Sequence, residues 1–267
     1  MLLLPAAAPT SADSLAQTIH ALLTGAVAVS RDRVVATGDY PRIDSLTLDL
    51  TGAVPGKHVA GDVVDPSAGQ SILSTATVGR LSVVGKPFGP PDRPANVDVS
   101  ARDLKLEFVQ AAGGRTAMRL AGATDGKLSA QVALATIRTA LIAEATSAAK
   151  AQGVTIKDAK ITWHTPDQHT LAVEAEIDAK KGFFPATVIV SGQVSIDSTL
   201  TAKLSNLEVD GKGMGGTIGA SLLRPRLAKY EGTTYSLMAL PLDAIKVTDV
   251  RFTAGADRLG VEAEFSG

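Results

Sequence analysis

The residues that could do chemistry are few in this sequence, and their spacing argues against most enzymes. Gly211-x-Gly213-x-x-Gly216 has the spelling of a dinucleotide-phosphate loop. That loop needs a parallel strand–turn–helix unit with an acidic residue about 20 positions further on. Here the neighbouring segments alternate as antiparallel strands, and Glu231 is followed by Gly232 instead of ending a strand. A hinge is expected, and no cofactor. Ser147-Ala148-Ala149-Lys150 matches a penicillin-enzyme box, but that serine must open a helix and two further boxes must follow. This one closes a helical stretch, and the other boxes are missing. His164 and His169 flank the turn sequence Thr165-Pro166-Asp167-Gln168. With Asp167 they lack the third firm ligand of a closed site, so exposed turn histidines and no metal are expected. Glu174, Glu176, Glu262 and Glu264 sit at outward strand positions and read as a solvated face. No Gly-x-Ser-x-Gly is present. No catalytic residue is assigned.

Two clusters suit a lipid surface better than a reaction. In Gly182-Phe183-Phe184-Pro185, beside Lys180 and Lys181, the rings can dip into a membrane while lysines meet phosphate. The other reading makes Phe184 a core plug and Phe183 a loop cover. Arg224, Arg226 and Lys229 adjoin Leu222, Leu223 and Leu227. They can anchor a headgroup, or form the wet side of a surface helix. Lys181, Phe183, Phe184, Arg224 and Arg226 are therefore the candidate headgroup or membrane contacts.

The composition is consistent with that direction. A net charge of -1 over 267 residues provides no basic field, so no nucleic acid partner is expected. Apolar residues make up 45% but aromatics only 4%, which suits many strands with small side chains. Cysteine is absent, which excludes disulfides and thiolate chemistry. Residues 1–12 combine a short apolar run with small residues suited to cleavage near Ala12. They are expected to be a signal-peptide remnant or a disordered tail, with the protein periplasmic or secreted in the cell envelope. No apolar run approaches the ~18 residues of a membrane span.

These clusters must be positioned by strands. A short helix is expected over 14–24, capped by Ser11 or Asp13. Strands are expected over 27–36, 43–50, 78–84, 97–109 and 116–120, with a loop over 52–71, a short helix near 67–74 and a proline turn over 87–94. Over 128–151 the period becomes helical, with Val132, Leu134, Ile137, Leu141, Ala145 and Ala148 on one stripe. Strands over 154–164, 170–178, 186–196 and 199–209 follow as an antiparallel meander. A helix over 217–229 and strands over 244–253 and 258–265 complete the chain.

Several strands share a slip. Ile156-Lys157-Asp158-Ala159, Leu204-Ser205-Asn206-Leu207, Asp103 within 99–106, Asp249 within 247–252 and, more weakly, Ile43-Asp44-Ser45-Leu46 each put two residues where alternation needs one. That is the signature of a β-bulge, which bends its strand. The expected fold class is therefore α+β, a strongly curved, bulged antiparallel sheet wrapped around a long amphipathic helix. An apolar groove lined by Leu134, Ile137, Leu141, Ile218, Leu222, Leu223 and Leu227 would remain.

Residues 199–206, the glycine run, Leu222-Leu223-Arg224-Pro225, residues 237–242 and Asp249-Val250 through Val261-Glu262-Ala263 resemble a bacterial phospholipid-binding family. That family is typified by the mycobacterial lipomannan elongation protein and is akin to the tubular lipid-binding superfamily. Residues 96–106 are similar to the family's first-half strand. The loop over 52–71 and the turn over 87–94 depart from it. The resemblance implies one lipid-binding-like domain over 13–267, non-enzymatic, holding a phospholipid or fatty-acyl ligand, with a peripheral membrane contact as a further expectation. Two other readings stand beside it. One is a structural or adhesive envelope protein whose interior is filled. The other is a hydrolase on membrane substrates, for which no nucleophile–base pair can be named.

Overall fold

The computed structural model describes residues 2–4, 7–56, 71–150, 153–181, 184–237 and 244–267. The chain divides into two compact units, residues 1–130 with 240–249 and 262–267, and residues 131–239 with 250–261. Among the described residues strands hold 59% and helices 21%, so sheets set the architecture.

The first unit contains β1 (Leu2–Leu3), α1 (Ala12–Thr24), β2 (Val34–Asp39), β3 (Arg42–Asp49), β4 (Ile72–Phe88), β5 (Ala95–Gln110) and most of β6 (Thr116–Ala133). Its sheet runs β12-β13-β6-β5-β4-β3-β2, where β12 is Lys246–Ala254 and β13 is Arg258–Ser266, with β1 paired to β6. Alternation decides the core. Leu104, Leu106 and Phe108 of β5 and Leu46 of β3 turn to one side, with Val34, Ile43 and Val78, and are buried beneath Leu15 and Ala16 of α1. α1 begins at Ser11, whose Oγ accepts from the Ser14 N–H at 3.1 Å while the Ser14 Oγ accepts from the Ser11 N–H at 2.9 Å. Leu2 and Leu3 pair with Met118 and Ala117 of β6. Part of the segment read as a leader remnant or tail is thus strand.

The second unit holds α2 (Leu134–Lys150), β7 (Val154–Asp167), β8 (Thr170–Lys181), β9 (Phe184–Ile196), β10 (Thr201–Lys212), α3 (Gly213–Leu227) and β11 (Thr234–Ser236). Its sheet order is β11-β10-β9-β8-β7. The consecutive antiparallel pairing from β7 to β10 is the expected meander. Within this unit the tip of the β12–β13 hairpin joins β7 and α2. Phe252 donates to the Gln168 carbonyl, Leu134 to the Asp257 carbonyl, and the Trp163 indole N–H to the Gly255 carbonyl at 2.9 Å.

The expected fold class is overturned. There are two sheets, not one curved sheet around a long helix. Bulges are present at several of the expected positions. Register shifts occur beside Ser45, between Ile156 and Asp158, and between Ser205 and Glu208, and Asp103 and Asn206 have left-handed φ of 47° and 56°. They are divided between the sheets, so their bends do not accumulate into one trough. The first sheet is also mixed, because β3 and β4 run parallel. The connection over 50–71 supplies the length that a parallel crossover needs and a hairpin does not. α2 cannot be a wrapped central helix. It has 17 residues and none of them is buried. The stripe drawn from Leu128 began in β6, because Leu128, Ala130 and Val132 fit a period of two as well as a helical one. Of the short helix expected near 67–74, residues 67–70 lie outside the described residues, and Ile72–Ser74 open β4. The strand expected over 27–36 starts only at Val34.

Candidate functional site

The five-stranded sheet has two chemically different faces, and the pairing register assigns each residue to one. Ile161 pairs with Ala175 and Ala175 with Val190; Ala159 pairs with Ile177 and Ile177 with Val188. Val190 then pairs with Val209. This face is apolar throughout. On the other face, Thr162, Glu174, Ser191 and Glu208 stand side by side.

Both helices pack on the apolar face. α2 packs against β7, where Ala159 and Ile161 are buried while Lys160 and Thr162 on the reverse side are exposed. α3 packs against β9 and β10. There Ala220 is buried on Val188 and Val209, with Leu223 and Leu227 against them, while Glu208 and Asp210 on the reverse side are exposed. β8 lies between these two contacts. At ~4.8 Å per strand, the centres of the two helices sit about 12 Å apart, against 8–10 Å for helices in contact. That spacing leaves room for a slot over β8, whose helix-facing residues Val173, Ala175, Ile177 and Ala179 are all half-buried.

α3 is held down by the glycine run. A Cβ on Gly211 would lie 2.1 Å from the Gly216 carbonyl, and one on Gly216 would lie 2.3 Å from the Thr187 carbonyl oxygen. Only glycines let strand and helix approach this closely. Because β9 and β10 are antiparallel, the run is a packing hinge and not the phosphate loop of a parallel unit. At the other wall, the Arg138 guanidinium of α2 bonds the Asp158 carboxylate at the β7 bulge. That bond, and next the Ala159 N–H at 2.7 Å, hold the Asp158 carboxyl below its ordinary range. The β10 bulge has its own clasp. The Glu231 carboxylate accepts from the Asn206 N–H at 3.1 Å and the Leu207 N–H at 2.9 Å.

The expected groove residues are therefore partly assembled. Leu134, Ile137 and Leu141 lie half-buried on α2, and Leu223 and Leu227 on α3, flanking β8. Ile218 points outward at 58% exposure. The side chains of Leu222 and Lys181 lie outside the described residues, as does Phe183 altogether. The expected headgroup set does not come together. Phe184 starts β9 beside the first turn of α3, whereas Arg224 and Arg226 are in its last turn, about 15 Å away at 1.5 Å per residue. Arg224 donates to the Val209 carbonyl at 2.8 Å, a use internal to the unit. Phe184 is 67% exposed and is not a core plug.

The polar face carries a surface trough of about 440 Å³ that the sequence did not single out. Thr162, His164, Glu174, Ser191, Asn206 and Glu208 line it, and the Asn206 amide donates to the Gln193 amide oxygen at 2.9 Å. Glu174 and Glu208 are two strands apart, about 10 Å between backbones at 4.8 Å per strand. Ser191 and His164 are likewise two strands apart and offset along them, so they are not within hydrogen-bond reach. Asp167, at the turn beside it, accepts from the His169 N–H at 2.7 Å, a turn cap. Among the described residues no group of three metal-binding side chains gathers, and no helix is long and apolar enough to cross a membrane. The signal for the trough was present in the parity of polar residues across the meander, but it becomes specific only once the register is known.

Comparison with protein-family models, curated proteins and solved structures finds no match for this chain.

Proposed function

We propose that the second unit binds the acyl part of a phospholipid or fatty acid along β8, between α2 and α3, without reacting with it. One observation carries the reading: an unbroken apolar strip, Val173 to Ala179, faces the helices yet lies beneath neither. The strip is about 20 Å long at ~3.4 Å per residue, the length of a common fatty-acyl chain. Burying each methylene there is worth about 0.8 kcal/mol, so affinity needs no polar anchor. The resemblance of residues 199–263 to a phospholipid-binding family supports the ligand class, though not the fold expected with it. Organic extraction of purified protein followed by mass spectrometry should release lipid, and a fluorescent fatty acid should bind the stripped protein in vesicle-free buffer. Protein that carries no lipid and ignores the fluorescent probe would sink the proposal.

A further inference from the structure

The trough on the reverse face of the five-stranded sheet has a cause in the sequence. Two rows of cross-strand neighbours build it: Thr162, Glu174, Ser191 and Glu208, then His164, Ala172, Gln193 and Ser205. Ala172 and Ser191 are short, half-buried and diagonal to each other at the centre. His164, Glu174 and Glu208 around them are long and exposed. Short side chains ringed by long ones leave a hollow, and at about 440 Å³ it falls within the range of small-molecule sites.

One wall is fixed in advance. The register shifts between Ser205 and Glu208, and Asn206 takes a left-handed φ of 56°. The Glu231 carboxylate accepts from its backbone N–H at 3.1 Å, and its side-chain amide donates to the Gln193 oxygen at 2.9 Å. The Gln193 NH₂ and the Asn206 carbonyl oxygen are left for a ligand. A polar pair already held in place loses little freedom on binding.

The lining selects the ligand class. Among the described residues no lysine or arginine lines the trough, and a phosphate or carboxylate there would face Glu174 and Glu208. Trp163, Val173 and Gly192 are out of phase with the two rows and turn to the helix side, so an acyl chain finds no apolar wall. A bare amine suits the carboxylates but gives the amide N–H groups nothing to bond. A sugar serves both, because its hydroxyls donate to carboxylates and accept from amides. Strands β7 to β10 span about 14 Å at 4.8 Å per strand, room for a short run of linked rings.

We propose that this trough binds a neutral saccharide, with Glu174, Glu208, Gln193 and Asn206 bonding its hydroxyls over the floor of Ala172 and Ser191. The site lies on the opposite face of the sheet from the acyl slot and does not depend on it.

Saturation-transfer NMR of the full chain with maltotriose, cellotriose and triacetylchitotriose tests it. At least one should bind, and its affinity should hold as salt rises, because the ligand is uncharged. Glu208→Ala should weaken binding about tenfold. Ala172→Tyr fills the floor and should abolish it. Both positions face solvent on the polar side, so the unfolding midpoint should hold. Lys203→Ala is the control: Lys203 is exposed on the same face but outside the trough, and binding should be retained. Ala172→Tyr should still bind the fluorescent fatty acid, which keeps this result separate from the slot. Maltose and dodecyl maltoside, below its micelle concentration, should bind alike if the sugar is what is recognised. Failure of every saccharide to bind, full binding in Ala172→Tyr, or equal loss in Lys203→Ala would overturn the proposal. So would binding of 1,5-diaminopentane in place of the saccharides, or of dodecyl maltoside without maltose, which would assign the signal to the alkyl chain.

Discussion

Replacing Ala175 by phenylalanine separates an open slot from a filled interior. Ala175 lies in register between Ile161 of β7 and Val190 of β9, at the middle of the strip and half-buried. If the space above it is open, the new ring buries on the order of 80 Å² of apolar surface and stabilises by ~2 kcal/mol at 25 cal/mol per Å². If protein atoms already fill the space, the same ring overpacks it and costs about 1–3 kcal/mol. The two cases thus differ by ~3–5 kcal/mol, and urea unfolding resolves this easily. The slot reading also requires the ring to take the ligand's place, so affinity for a fluorescent fatty acid should fall more than tenfold. A variant that is destabilised and still binds the probe at full affinity would refute both the slot and its location. A destabilised variant from a parent that binds no probe would favour the structural alternative.

Two other outcomes follow from the walls of the slot. Gly216→Ala brings a methyl against the Thr187 carbonyl oxygen, a backbone atom that cannot rotate aside. It should cost on the order of 1–3 kcal/mol in urea unfolding and weaken probe binding by lifting α3. Asp158 has a lowered pKa in the folded chain, so its contribution is full above the ordinary carboxylate value of 3.8 and is lost as pH falls through the folded, lower one. Amide protection in α2, relative to the intrinsic exchange rate, should therefore fall below pH 3.8 in the native protein, and Asp158→Asn should remove that acid-dependent step.

The meander from β7 to β10 was legible because its strands alternate strictly and short turns join them. The bulges at Asp44, Asp158 and Asn206 were legible too, since an extra residue between apolar positions leaves a mark on the sequence. What alternation does not report is the neighbour. Leu46 and Leu48 give the buried face of β3 but not that β4 runs parallel to it. Nothing in Ile156–Asp158 or Ile43–Ser45 says that their strands belong to different sheets. The slot shares this fate. Val173, Ala175 and Ile177 look like any buried strand, and only the seating of α2 on β7 and α3 on β9 and β10 leaves them uncovered. Phe184 is exposed, as one of its two readings had it; Arg224 is exposed as well, but nothing local in the sequence reveals that the Val209 carbonyl takes one of its guanidinium N–H groups.

The border between the units is crossed four times, at residues 130, 239, 249 and 261. No single cut separates them, and residues 131–239 expressed alone would lack the Gly255 carbonyl that receives the Trp163 indole. Assembly has an order as well. Phe265 covers Gly126, and Gly267 abuts Ala244, so the first unit to leave the ribosome is the last to be completed. Until then its β6 edge waits for β13, a window in which a chaperone or a neighbouring chain could occupy the vacancy.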